Sequence, residues 1–235
     1  MPRNRLKRLP GGWRHLPARQ ARLTRGARAA AFALLPGLAF AAAVAGTPAG
    51  DGAAPPHPPI SRAHWEPRAG DVILRASDDL VGARIRTASG AGAIYSHVGL
   101  VVTRAGQPVV IDVSPFGSGR VEFTDLAKFT TGGEITDLLV VRPRRPVDAA
   151  RLERDGERLA AAGIGFDYGF DMADGSELYC AELAYHLLGA AGADLRTLPW
   201  TEMYVPLHGD RNLIAPDAFA HSPALQPVYR RVVPG

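Results

Sequence analysis

The chain has 235 residues, 46% of them hydrophobic and 21% charged, enough for a real core and unlike a disordered, collagenous or coiled-coil sequence. The formal net charge of +4 invites a nucleic-acid or anionic-membrane partner until it is divided along the chain. Residues 1–45 hold nine of the 27 Lys and Arg and none of the 23 Asp and Glu, which leaves 18 basic against 23 acidic residues and a net charge of −5 for the rest; the reason to expect a nucleic-acid partner disappears with that division.

Those first 45 residues read as a leader. A basic stretch ends at Arg28, an apolar run follows from Ala29 to Ala45, and Ala43-Val44-Ala45 suits signal peptidase. Sec-type export to the periplasm or exterior is expected, with cleavage after Ala45. The run is Ala-rich and interrupted by Pro36-Gly37, whereas a stable span wants roughly 20 strongly apolar residues. No membrane span is therefore expected after cleavage. Residues 46–67 are rich in Pro, Gly and Ala without periodicity and read as a flexible spacer, so that the domain is expected over 68–235.

Asp71 to Arg75 forms a short strand, and Ser77 is placed to cap a helix from Asp78 to Thr87. After a Gly/Ala-rich turn, the β-rich run Tyr95 to Val102 and the strand Pro108 to Val113 make a hairpin about Thr103 to Gly106. Further strands are expected at Arg120 to Phe123 and Ile135 to Val141. Asp148 to Ala162 is a helix, with Pro146 before it and Gly163 after it as punctuation. An aromatic and acidic loop then leads to a helix from Cys180 to Leu188. Beyond it six prolines from Pro199 to Pro234 predict a mostly irregular tail with one strand near Val228 to Val233. The class is α+β with a mainly antiparallel sheet.

The sequence lacks the nucleophile elbow of serine hydrolases, the phosphate-binding P-loop and the H-E-x-x-H zinc helix. Asp167, Asp171 and Asp174 lack the spacing of an EF-hand and read as loop and cap residues. No metal and no cofactor are expected. Cys180 is the single cysteine, so it cannot form an internal disulfide. With Ser176 as N-cap it would sit in the first turn of its helix, where unpaired N–H groups and the helix dipole favour a thiolate. It also shares a helix face with Leu183, Ala184 and Leu187, as a packing cysteine does. A nucleophilic thiol needs a base and a group to orient that base. His97, at the head of an apolar strand, is the candidate base, although a lone strand histidine is often a satisfied core residue. Asp112, inside an apolar strand, is the candidate orienting group, with a structural ion pair to an Arg as the alternative.

The segments GDVIL (70–74), YSHVGLVV (95–102), PVVIDVSPFGSGRVEF (108–123) and GFDYGFDMADGSELYCAELAYHLL (165–188) resemble the YiiX/YebB-like proteins, circularly permuted papain-fold cysteine hydrolases allied to the NlpC cell-wall peptidases. The order His97, Asp112, Cys180 matches the permuted arrangement. Two positions depart from the family pattern: its third residue is more often Glu or His, and its usual Cys-Ser-Glu is Cys180-Ala181-Glu182 here. The resemblance implies a papain-like sheet packed against a helix that carries the nucleophile at its N-terminus. It further implies attack of Cys180 on an amide or ester carbonyl, with the oxyanion held by the Cys180 N–H and by Tyr95 or Tyr179. The loop from Phe166 to Phe170 would wall the cleft, which makes Asp167 and Phe170 cleft candidates. Either tyrosine also reads as an ordinary core or cleft-wall aromatic.

The expected function is that of an exported cysteine hydrolase acting on amide bonds in cell-wall peptides, with a peptide or acyl-bearing cell-envelope substrate as partner. The alternatives are a lipid-directed acyl hydrolase or acyltransferase on the same fold, and a non-catalytic periplasmic binding module, which would keep Cys180 buried and inert. The sequence does not state an oligomeric state.

Overall fold

The computed structural model of the protein describes residues 65–77, 80–90, 92–115, 117–131, 135–205 and 207–232. The leader expected over 1–45, and all but the last three residues of the spacer, lie outside the described residues. In chain order the elements are β1 (Val72–Ser77), α1 (Leu80–Ser89), β2 (His97–Arg104), β3 (Gln107–Val113), β4 (Val121–Asp125), α2 (Leu126–Thr131), β5 (Ile135–Pro143), α3 (Ala149–Ala162), β6 (Gly165–Phe166), β7 (Glu177–Leu178), α4 (Cys180–Ala190), β8 (Thr201–Val205), β9 (Gly209–Leu213), α5 (Asp217–Ala220) and β10 (Leu225–Val232).

A six-stranded sheet runs in the order β10-β5-β1-β2-β3-β4, and every neighbouring pair in it is antiparallel. The strand pattern explains why β1 and β2 are apolar almost throughout. Val72, Leu74 and Ala76 belong to the larger core with α3 and α4, while Ile73 joins Val101, Val110, Phe129 and Leu138 in a smaller core. With both faces covered, alternation gives way to continuous hydrophobicity.

Both long helices follow their punctuation. The Asp148 carboxylate accepts from Arg151 N–H and caps α3, and Gly163 closes it at φ 62, a left-handed conformation in which glycine carries no Cβ penalty. In α4, Leu183, Ala184, Leu187 and Leu188 are buried, and the helix lies over β2 and β3.

Several expectations are corrected. Ser77 is the last residue of β1 and residues 78–79 are not among those described, so the helix expected from Asp78 is seen from Leu80. The short helix α2 was not expected; Asp125 Oδ1 accepts from Lys128 N–H at its start, a cap easily lost beside the β-branched pair Thr130-Thr131. The tail is less irregular than its prolines suggest, since β8 and β9 pair as a hairpin. Its turn holds Leu207 at φ 69, where the usual Gly or Asn signal is missing. The last three residues of the expected spacer also belong to the fold. Trp65 Nε1–H donates to the fully buried Asp71 at 2.9 Å and its ring stacks on Tyr229. Asp71 receives Arg142 on both oxygens, at 2.6 and 2.8 Å.

Candidate active site

The β2–β3 ladder stops at Leu100↔Ile111. Beyond that point each strand keeps only its outer neighbour: β2 stays paired with β1 as far as His97↔Arg75, and β3 with β4 through Asp112↔Glu122 and Val113↔Val121. The sheet therefore parts between the two strands, and the start of α4 meets the parting.

His97 and Asp112 meet across it. His97 Nε2 is 3.1 Å from Asp112 Oδ2, a distance at which the ring N–H donates to the carboxylate. The other oxygen, Oδ1, accepts from Thr124 Oγ1–H at 3.1 Å. Asp112 is buried while the His97 side chain is 19% exposed, so the carboxylate is sheltered and the ring edge is open. The alternative for Asp112, an ion pair to an Arg, is not what is seen: its partners are His97 and Thr124.

Cys180 completes the arrangement as the first residue of α4. Its side chain hydrogen-bonds His97, and because Nε2 is engaged by Asp112 the remaining nitrogen, Nδ1, is the one left for the sulfur. Burial of the His97 ring favours its neutral form. The negative charge of the Cys180 sulfur, the hydrogen bonds to Asp112 and Cys180, and the charge of Asp112 outweigh that burial, and the His97 pKa is pushed up to about 9. The three residues singled out by the sequence are thus brought together as sulfur, imidazole and carboxylate, the components of a thiolate–imidazolium pair with its orienting acid.

The cap of α4 is Tyr179 rather than Ser176, which moves Cys180 to the first helical position. Leu183 N–H already reaches Tyr179 C=O at 2.9 Å. The N–H groups ahead of it, those of Cys180, Ala181 and Glu182, belong to the first turn, where intrahelical acceptors are lacking.

The four cleft and oxyanion candidates stand differently. Tyr95 is fully buried and its hydroxyl lies 3.4 Å from Asp137 Oδ1, beside the Asp137–Arg230 ion pair. Burial, then the Asp137 charge, raise its pKa. Its hydroxyl is thus engaged in the core with Asp137. The Tyr179 hydroxyl accepts from Ile214 N–H at 3.1 Å and donates to Met172 Sδ, so it too is committed elsewhere. The Asp167 carboxylate holds its own loop by accepting from Gly169 N–H at 2.7 Å and Asp171 N–H at 2.6 Å. Asp171 and Asp174 likewise accept from Ala173 and Ser176 N–H, the cap roles their spacing suggests. Phe170, at φ 50, lays its ring against Phe166 and Tyr179, while Tyr168 next to it is 63% exposed. The loop wall is built from this aromatic cluster.

Three residues that position the site carry little sequence signal. Thr124 supports Asp112 from the neighbouring strand. Phe129 of α2 sits beside the His97 ring at 5.7 Å; the signal for it is Gly99, where a Cβ would stand 2.5 Å from Val110 and 2.6 Å from Phe129. Gly99 thus admits the Phe129 ring beside His97. Asp217 of α5 accepts from the N–H groups of both Ile94 and Tyr95 at 2.9 Å and so fixes the segment that leads into His97.

A family model described as "Permuted papain-like amidase enzyme, YaeF/YiiX, C92 family" matches residues 66–229. Among solved structures, the crystal structure of the metalloprotein YiiX from Escherichia coli O157:H7 matches with a TM-score of 0.60 and 20% identity, covering 72% of this chain and 100% of that one. No curated protein matches the chain.

Proposed function

The chain belongs to the permuted papain-like amidases of the YaeF/YiiX family, a family of cysteine hydrolases, and from that premise we propose that it is exported and hydrolyses amide bonds in cell-wall peptides. The observation that carries the proposal is the contact of Cys180 with a His97 ring whose far nitrogen is held 3.1 Å from Asp112.

The chemistry follows from the geometry. With the proton on His97, the Cys180 sulfur attacks the carbonyl carbon, the C=O π pair moves to oxygen, and a tetrahedral centre forms. The developing oxyanion lies at the helix start, where the Cys180 N–H can donate to it. His97 gives its proton to the leaving nitrogen, the C–N bond breaks, and an acyl thioester remains on Cys180. Water, deprotonated by His97, then attacks the thioester carbonyl; the C–S bond breaks and the sulfur leaves as thiolate beside a reprotonated imidazolium. Asp112 keeps Nε2–H directed away from the sulfur throughout, which fixes the ring and stabilises its charge.

Export is supported by the basic and then apolar composition of residues 1–45. The YiiX relative is described as a metalloprotein. In this chain, among the described residues, no three His, Cys, Asp or Glu side chains are grouped to hold an ion, and no step above passes through one.

A second reading, hydrolysis or transfer of lipid acyl groups, is favoured by one feature. Leu207 is 98% exposed at the tip of the β8–β9 hairpin and Tyr204 on that hairpin is 60% exposed, while Arg211 from β9 donates to Gly169 C=O in the aromatic loop. An apolar tip tied to the cleft wall suits an acyl-bearing substrate. Muropeptides set against acylated lipids and lipoproteins, with Cys180→Ala as the blank, distinguish the two. Release of free amino groups from muropeptides supports the amidase proposal; turnover of acyl lipids alone replaces it, and turnover that survives Cys180→Ala rejects the mechanism.

A further inference from the structure

Glu182 follows Cys180 by two residues on α4 and has no exposed surface. Its Oε2 accepts from Tyr179 N–H at 3.4 Å, across the first turn of the helix. Its Oε1 faces His186 Nε2, one turn along the helix, at 3.5 Å, and makes no regular hydrogen bond among the described residues. An ionised carboxylate opposite an imidazolium closes to about 2.7–2.9 Å, well inside the 3.5 Å seen here. An ionised Glu182 would also be a buried charge held by one backbone N–H alone, which is costly.

The surroundings add to this. The charges of Asp167, Asp171 and Asp174, in the loop ahead of α4, act on Glu182. Burial first, then those aspartates, push Glu182 up to about 9, and burial holds His186 down to about 4. Tyr185 packs edge-on against the His186 ring.

A carboxylate near a helix N-terminus ordinarily gains from the dipole. Here the same helix end must hold the Cys180 thiolate and then an oxyanion, and a second negative charge opposes both. We propose that Glu182 is a positioning residue that closes the first turn of the nucleophile helix as an uncharged acid, accepting from Tyr179 N–H beside a neutral His186. The helix start is thereby fixed without a charge that competes with the sulfur.

The proposal rests on Cys180 as the nucleophile, so the test separates the two. In the full wild-type chain, nitrogen-15 NMR reads the His186 imidazole directly, and a neutral ring is expected at about pH 7. In parallel, the rate of Cys180 alkylation by iodoacetamide is followed against pH in Glu182→Gln and Glu182→Ala. The amide retains the acceptor and the donor without charge, so Gln should stay within about twofold of wild type with an unshifted profile. Ala should lose roughly tenfold as the reacting group loses its fixed position. A charged His186 at neutral pH overturns the proposal, as does a Gln profile displaced to lower pH, the effect of deleting a carboxylate charge. Should Glu182→Ala not fold, the His186 state and the Gln profile still decide. If Cys180 is not the nucleophile, His97→Ala leaves alkylation unchanged whatever the state of His186.

Discussion

His97 Nε2 and Asp112 Oδ2 stand 3.1 Å apart across the point where β2 and β3 cease to pair. Their separation is set by two ladders that continue outward on either side, to Arg75 and to Glu122. The parting admits the start of α4 and gives the imidazole two neighbours, a sheltered carboxylate and a sulfur.

Asp112 contributes both a bond and a charge to His97, and both raise its pKa. In wild type the His97 proton is retained until pH rises through about 9, so hydrolysis should fall on an alkaline limb near that value as the acid for the leaving nitrogen is lost. Asp112→Asn removes the charge and should move the limb to lower pH, towards the ordinary histidine value. A pH–rate profile of kcat/KM checks this; an unmoved limb would separate Asp112 from the titration.

Tyr95→Phe should leave kcat/KM within about twofold of wild type, since its hydroxyl touches Asp137 and no reacting atom. A loss of about a hundredfold or more, the usual effect of removing an oxyanion donor, would restore the role that the buried hydroxyl argues against. Circular dichroism of the variant controls for folding.

Gly99→Ala should destabilise the fold by about 1–3 kcal/mol, the usual cost of overpacking, because the new methyl meets Val110 and Phe129 at 2.5 and 2.6 Å. Phe129 is also the ring beside His97, so the variant should lose activity even where it is folded. Urea denaturation and kcat/KM measured on one preparation separate the two effects.

The candidate trio was legible in the sequence because each residue broke its local pattern: a histidine and an aspartate inside apolar strands, and a lone cysteine opening a helix. The positioning residues were not. Thr124 is an ordinary strand threonine until Asp112 is seen beside it, and Asp217 is a helix-start aspartate until its oxygens are found on Ile94 and Tyr95. Tyr95 and Tyr179 were misleading for the converse reason: adjacency in sequence to His97 and Cys180 says nothing about where a long side chain ends. The β8–β9 hairpin was hidden by flanking prolines, although Thr201 to Val205 alternate in burial.

Asp217→Ala should cost about 2 kcal/mol, at about 1 kcal/mol for each of the two backbone N–H groups it leaves without an acceptor. Chemical denaturation measures it. Because those groups belong to Ile94 and Tyr95, activity should fall further than stability alone explains, and a variant with lowered stability but unchanged kcat/KM would show that the lead-in segment does not position His97.

Stability should decline as pH rises from about 6.5 to about 9. Over that window the native Glu182 and His97, with pKa values pushed up to about 9, keep protons that the unfolded chain has already released, and proton release favours the unfolded state. His186, held down to about 4, acts in the opposite sense below about 6.5, where the unfolded chain gains its proton first, but Glu182, raised from 4.5, offsets it between about 4.5 and 6.5, so these groups leave stability nearly level there. Glu182→Gln should flatten the alkaline decline in part, as followed by thermal unfolding across the range.

The most direct test of the central claim is the rate of Cys180 alkylation at neutral pH in wild type and in His97→Ala. If His97 holds the sulfur as a reactive thiolate, the wild-type cysteine reacts rapidly at pH 7 and the variant more slowly by about tenfold or more, recovering only as pH is raised. Equal rates in the two proteins across that range would show that the imidazole does not activate the thiol, and would contradict the mechanism.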